Sequence, residues 1–246
     1  MIHYHGLPMT PLSDMIRAMR GKHAMVSYFD HRQIEEASEI CQSVALDNGA
    51  FSAWRSKKKH DFAGYQKWAA HWLRHPAVDW AIIPDVIDGS EEENDALLAE
   101  WELPGEVSVP VYHFHESLER LERLISYPRI ALGSSGQFQH PGTPSWWGRM
   151  AEIMEVLCDD EGFPRAKLHG LRMLDSILFA HIPLSSADSC NVARNIGIDQ
   201  AWDTPYAPTS KWARALVLMD RVEFHASARR WSGKTAGVQQ NMELLG

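Results

Sequence analysis

The stretch Val44-Ala45-Leu46-Asp47-Asn48-Gly49-Ala50-Phe51-Ser52 decides how the rest of the chain is read. A short apolar run ends on an acid. The Asn-Gly pair that follows tolerates positive φ, so the backbone can turn sharply and leave the Asp47 carboxylate at a strand tip. The same event recurs where Pro183-Leu184-Ser185-Ser186-Ala187 runs into Asp188-Ser189. An acid after a strand is most often a turn or helix cap. The two acids gain meaning only if other strand tips carry chemistry beside them.

Outward from this stretch, apolar runs alternate with segments of helical periodicity. Strands are expected at 2–5, 23–28, 43–46, 79–86, 107–115, 129–132, 167–170 and 184–187, and helices at 11–20, 32–39, 62–74, 91–101, 117–125, 144–157 and 174–180. Strand 79–86 is apolar on both faces, as a parallel strand must be. The alternation predicts a single (β/α)8 TIM-type barrel domain over 1–246. The barrel proper takes roughly 1–197, and the extension 198–246 carries a short amphipathic helix at 211–219. A doubly wound open sheet is the alternative.

Composition narrows the function. A net charge of −8 argues against a protein that coats nucleic acid by bulk attraction. Local basic clusters remain, at Arg55, Lys57, Lys58 and Lys59 and at Arg229, Arg230 and Lys234. No apolar run is long enough to span a bilayer, and the amino terminus lacks the pattern of a secretory signal, so a cytoplasmic protein without membrane contact is expected. Cys41, Cys158 and Cys190 are far apart and form no CxxC knuckle, which suggests reduced thiols.

In a barrel every strand tip faces one mouth. Asp47, Asp85, His113, His115, Gly133, Ser134, His169 and Asp188 would then share a pocket. Several carboxylates in one mouth push their pKa values apart, which allows an ionised nucleophile beside a proton carrier. Such a pair suits attack at the anomeric carbon of a sugar. Gly133-Ser134-Ser135-Gly136 could let a flat ring or a phosphate approach the backbone, although it lacks a P-loop lysine. The HxH pairs His3/His5 and His113/His115 raise a competing metal-dependent hydrolase; isolated histidines are more often structural, and neither a metal nor a cofactor is expected.

Taken together, these motifs resemble the tRNA-guanine transglycosylase superfamily, the queuine and archaeosine base-exchange enzymes. Asp47-Asn48-Gly49-Ala50-Phe51-Ser52 resembles that family's D-S-G-G-[FY]-Q, and Asp188-Ser189-Cys190-Asn191-Val192-Ala193-Arg194 resembles its D-C/S-V-x-P-T-R segment. Pro84-Asp85-Val86, the loop from Gly133 to Gly136 and His169-Gly170 fall, in order, where the family has a base-reading Asp, a glycine-containing loop and M-G-V-G. The resemblance implies Asp188 as the nucleophile and Asp47 as the acid/base. It further implies Asp85 as the reader of the base, Phe51 as a stacking wall, and Asn48, His113, Gly133, Ser134, His169, Gly170 and Arg194 around the substrate.

The chain also departs from the pattern. Asn48 stands for Ser, Ser52 for Gln, Arg194 lacks the preceding Pro-Thr, and the family's C-x-C-x-x-C…H zinc module is missing. A zinc-free chain of this length resembles the DNA-modifying branch, which exchanges guanine for a 7-deazaguanine. The expected partners are therefore nucleic acid, DNA ahead of tRNA, and a free 7-deazaguanine base, with a partner protein or a homodimer allowed. Arg55, Lys57, Lys58, Lys59, Arg229 and Arg230 would hold the backbone of a nucleic acid whose base is flipped into the mouth. An N-glycosylase on the same scaffold and a non-catalytic nucleic-acid-binding module are the remaining alternatives.

Overall fold

The computed structural model describes residues 1–197, 202 and 207–232. Nine parallel strands alternate with helices: β1 (Ile2–Leu7), β2 (His23–Ser27), β3 (Ser43–Asp47), β4 (Val78–Ile82), β5 (Ser108–Val109), β6 (Val111–His113), β7 (Arg129–Gly133), β8 (Lys167–Gly170) and β9 (Ser186–Ser189). They form one sheet in the order β5-β4-β3-β2-β1-β9-β8-β7-β6. The two ends of that order, β5 and β6, are consecutive in sequence and parted only by Pro110. β5 pairs with β4 and β6 with β7, so a single extended stretch completes the ring.

The fold is thus a TIM-like barrel with eight staves, and the ninth strand arises where the expected strand 107–115 is cut. Proline has no N–H for the ladder. Its carbonyl still accepts from Ala131 N at 2.9 Å, which keeps the stave in the wall.

The helices follow local rules. Leu12, Met15, Ile16 and Met19 recur at helical spacing in α1 (Leu12–Met19), which buries Met15 and Met19. Further along come α2 (Ile34–Ile40), the short α3 (Ala50–Arg55) directly after Asn48-Gly49, and α4 (Phe62–Trp72), capped by Asp61. Ser90 and Glu93 make a capping box at the start of α5 (Glu91–Glu100), whose acidic first turn suits the positive end of the helix dipole. After α6 (Leu118–Leu124), Thr143 caps α7 (Pro144–Leu157), where proline occupies a position that needs no donor. The set ends with α8 (Ser176–Phe179), α9 (Asn191–Asn195) and α10 (Lys211–Glu223).

Strand alternation sorts the core into three apolar clusters. Tyr4, Met25, Ala45, Trp80, Ile82, Val109, Val111 and Ala131 fill the barrel. The opposite faces of β1 to β4 pack on α1, α2, α4 and α10, and those of β6 to β9 pack on α6 and α7. Trp146 of α7 is fully buried and donates through Nε1 to Ser134 Oγ at 2.8 Å. Beyond α10 the chain crosses the end of the barrel where the strands begin: Ser227 Oγ donates to Leu184 O, and Trp231 N donates to Gly162 O. Residues 233–246, including Lys234, and residues 198–201 and 203–206 lie outside the described residues.

Candidate active site at the barrel mouth

Ala45 points into the barrel, so period-two alternation sends Asp47 inward at the end of β3. Ala187 packs outward, which turns its neighbours Ser186 and Asp188 inward on β9. Ladder register pairs Asp188 with Tyr4, Tyr4 with His23 and His23 with Ser43. Tilted staves shift level by about one residue per strand in an eight-stranded ring. Over three steps that stagger carries the level from Ser43 to the neighbourhood of Asp47. Both acids accordingly line one cavity of about 580 Å³, together with Phe51, Ser52, Arg172, Asp175, Cys190 and Arg194.

Electrostatics distinguishes the two acids. Burial, reinforced by the negative charges of Asp188 and Asp85, pushes the Asp47 carboxyl up to about 7, while the Gly49 N–H at 3.1 Å offsets part of this. Asp188 accepts from the Arg172 backbone N–H at 2.9 Å. One acid is poised to hold a proton near neutrality, and the other is hydrogen-bonded and flanked by arginines.

Next to Asp47 but outside the lining of that cavity is a second, buried polar group, so Asp85, Asn48, His113 and Gly133 do not share the pocket expected of them. Asn48 is buried and donates through Nδ2 to Asp85 Oδ1 at 2.5 Å and to Ile83 O at 2.9 Å, while its Oδ1 accepts from Ala50 N. His113 Nε2 lies 2.9 Å from Asp85 Oδ2. A Cβ on Gly133 would come within 3.3 Å of His113 Nδ1, so the missing side chain gives that ring its room. A carboxylate offers about four acceptor positions, and Asp85 has used two of them.

The other expected residues are placed differently. Ser134 is taken up by Trp146. Gly170 packs outward, where a Cβ would strike Met173 and Leu184. His169 is fully buried beneath the mouth, with Nδ1 2.9 Å from Ser186 Oγ, and does not line the cavity. Arg55, Lys57, Lys58 and Lys59 are exposed on the rim after α3, with Lys58 over the Phe29 ring. Arg229 and Arg230 lie at the opposite end: Arg229 sits with Pro128, Lys167 and Ser185 where β7, β8 and β9 begin, and Arg230 beside Asp159 to Gly162 in the loop before β8. A strand seated on the mouth cannot touch both sets at once.

The HxH pairs diverge as well. His3 and His5 flank the inward Tyr4 and so face out of the barrel, against the carbonyl of His225 and the carboxylate of Glu223. His115 Nδ1 and Nε2 meet Ser135 Oγ and Gly89 O. Among the described residues no group of three or more His, Cys, Asp or Glu side chains is arranged to hold a metal ion. Nor is any described helix long and apolar enough to cross a membrane.

Several residues of the mouth escape sequence reasoning, Arg172 and Asp175 among them. Arg172, at φ 57°, holds Asp188 through its backbone and stacks its guanidinium on Phe51; nothing in Leu171-Arg172-Met173 announces a left-handed residue. Cys190, two residues after Asp188, lines the same cavity, and loss of solvation plus the charges of Asp188 and Asp47 raise its thiol to about 11. Comparison with protein-family models, with curated proteins and with solved structures finds no match to this chain.

Proposed function

We propose that this barrel is a base-exchange enzyme that cleaves the glycosidic bond of a guanine nucleotide in nucleic acid and installs a 7-deazaguanine, with DNA as the substrate ahead of tRNA. The observation that carries the reading is the single cavity shared by Asp47 and Asp188, in which Asp47 keeps its proton up to about pH 7. In the first half-reaction Asp188 attacks C1′, the bond from C1′ to the guanine nitrogen breaks, and Asp47 protonates the departing base. In the second, the incoming base gives its ring N–H proton back to Asp47, its nitrogen attacks C1′, and Asp188 leaves. Atoms and charge balance, and Asp47 ends as it began.

The remaining groups support binding. We assign Asp85, braced by Asn48 and His113 next to the cavity, as the reader of the amino and ring N–H groups of a guanine-like edge. Phe51 offers a flat wall, and Arg194 and the rim cations Arg55, Lys57, Lys58 and Lys59 supply charge for phosphates. The choice of DNA and of a 7-deazaguanine rests on the sequence resemblance and the missing zinc module.

The test is release of labelled guanine from DNA or tRNA on addition of 7-deazaguanine bases, with mass spectrometry of trapped protein. Wild type should release guanine and show a nucleic-acid adduct on Asp188. No release from either polymer, or full activity in Asp188→Asn, overturns the reading.

A further inference from the structure

A buried chain of polar groups runs up the inside of the barrel to Asp188. At its lower end Arg129, in the first position of β7, stacks over the Trp80 ring at 5.2 Å and donates from Nη1 to Ser186 Oγ at 2.8 Å. Ser186, fully buried on β9, stands 2.9 Å from His169 Nδ1. His169, fully buried on β8 and packed edgewise on Trp80, presents Nε2 to Asp188 Oδ1 at 3.3 Å. In the resting structure that approach lies outside hydrogen-bond geometry, so the buried Nε2 is an orphaned polar atom whose nearest acceptor is the Asp188 carboxylate.

The protons in this chain can be assigned by elimination. Guanidinium is a donor only, so the Ser186 oxygen accepts from Arg129. The single Ser186 hydroxyl proton then has His169 Nδ1 as its acceptor. The imidazole proton must sit on Nε2, facing the carboxylate. The opposite tautomer would aim a lone pair at a carboxylate in a buried site and leave the serine proton without a partner, which is costly. Burial, helped by the nearby Arg129 charge, lowers the pKa of the ring against the opposing pull of Asp188.

We infer that His169 is a positioning residue for Asp188, held as the Nε2–H tautomer by Ser186 and Arg129 so that it donates to the oxygen that does not attack. This inference rests on the base-exchange reading and goes beyond it by setting what orients the nucleophile from below, while Arg172 N–H holds it from the loop. The other charged or titratable groups that face Asp188 are Asp47, Cys190 and the Arg172 side chain, with Arg194 beyond Arg172.

The test uses His169→Leu, His169→Gln and Ser186→Ala in the full chain. Nitrogen-15 spectra of resting wild type should show His169 protonated on Nε2, and carbon-13 spectra at fixed pH should show the Asp188 carboxyl resonance displaced in His169→Leu. In turnover, His169→Leu should lose about 10- to 100-fold in kcat with KM nearly unchanged. His169→Gln, which keeps a donor near the Nε2 position, should recover most of that loss. An Nδ1–H tautomer, an unchanged Asp188 carboxyl resonance in His169→Leu, or a Gln variant as impaired as Leu overturns the inference. The two spectroscopic readouts need no turnover, so failure of base exchange and failure of the positioning role are told apart.

Discussion

The guanidinium of Arg172 lies 3.9 Å from the centre of the Phe51 ring, and the backbone N–H of the same residue donates to Asp188 at 2.9 Å. One residue thus ties the wall of the mouth to the acid on its floor, and it does so with a left-handed backbone that costs a side-chain-bearing residue about 1 kcal/mol. Arg172→Ala keeps the unfavourable φ and loses the stacking contact. Arg172→Gly loses the contact and relaxes the backbone. The glycine variant should therefore be the more stable of the two by about 0.5 to 1 kcal/mol in urea unfolding, and equal midpoints would show that φ 57° is unstrained.

Asp47 makes stability depend on pH with a definite sign. Its folded value of about 7 lies above that of an unfolded aspartate near 3.9, so its contribution is fully present below about pH 4 and is lost as pH rises toward 7. Asp47→Asn removes the charge and should flatten that slope. At pH 8 the variant should be more stable than wild type by roughly 2 to 4 kcal/mol, with little difference at pH 4. Parallel stability profiles from pH 4 to 8 would refute the assignment.

Glu223 behaves oppositely. His5 Nε2 at 2.8 Å and Lys22 Nζ at 2.5 Å from its two oxygens hold it down to about 2 against the cost of burial. The contribution is present above about pH 4.5 and lost as pH falls through about 2. Because His5 is fully buried, Glu223→Gln should cost about 1 to 3 kcal/mol at pH 7 and loosen α10 first, seen as faster amide exchange in 211–223. Uniform exchange across the barrel would show that this cluster does not anchor the helix.

Placement of the basic residues predicts an asymmetry in polyanion binding. Arg55→Glu combined with Lys58→Glu should weaken binding of a short oligonucleotide and reduce the salt slope by about 2, since two phosphate contacts are removed. Arg229→Glu combined with Arg230→Glu, at the far end of the barrel, should leave both unchanged. Equal losses from the two pairs, read by fluorescence anisotropy across a salt series, would place the nucleic acid somewhere other than the mouth.

The barrel was legible because parallel strands buried on both faces and amphipathic helices alternate from residue 2 to 187. What escaped was set by tertiary geometry. The six residues of α3 have no capping side chain, so nothing marks them as a helix. The last strand falls at 186–189 and not 184–187, because β9 registers with β1 from Ile2 onward, and this shift places Asp188 within the wall. His169 stands one residue before the end of β8 and Gly133 ends β7, yet one side chain is buried inside the barrel and the other position makes room for His113; no propensity separates those outcomes. The basic clusters looked equivalent in sequence, and only the direction of the chain beyond α10 puts Arg229 and Arg230 at the end of the barrel opposite Arg55 to Lys59.

The ladder between β1 and β9 also governs biosynthesis. The first stave to emerge during translation must wait for almost the last, so a nascent chain short of residue 189 presents unpaired edges open to aggregation. Asp47 is made early, but it comes to share a cavity with Asp188 only when the wall shuts.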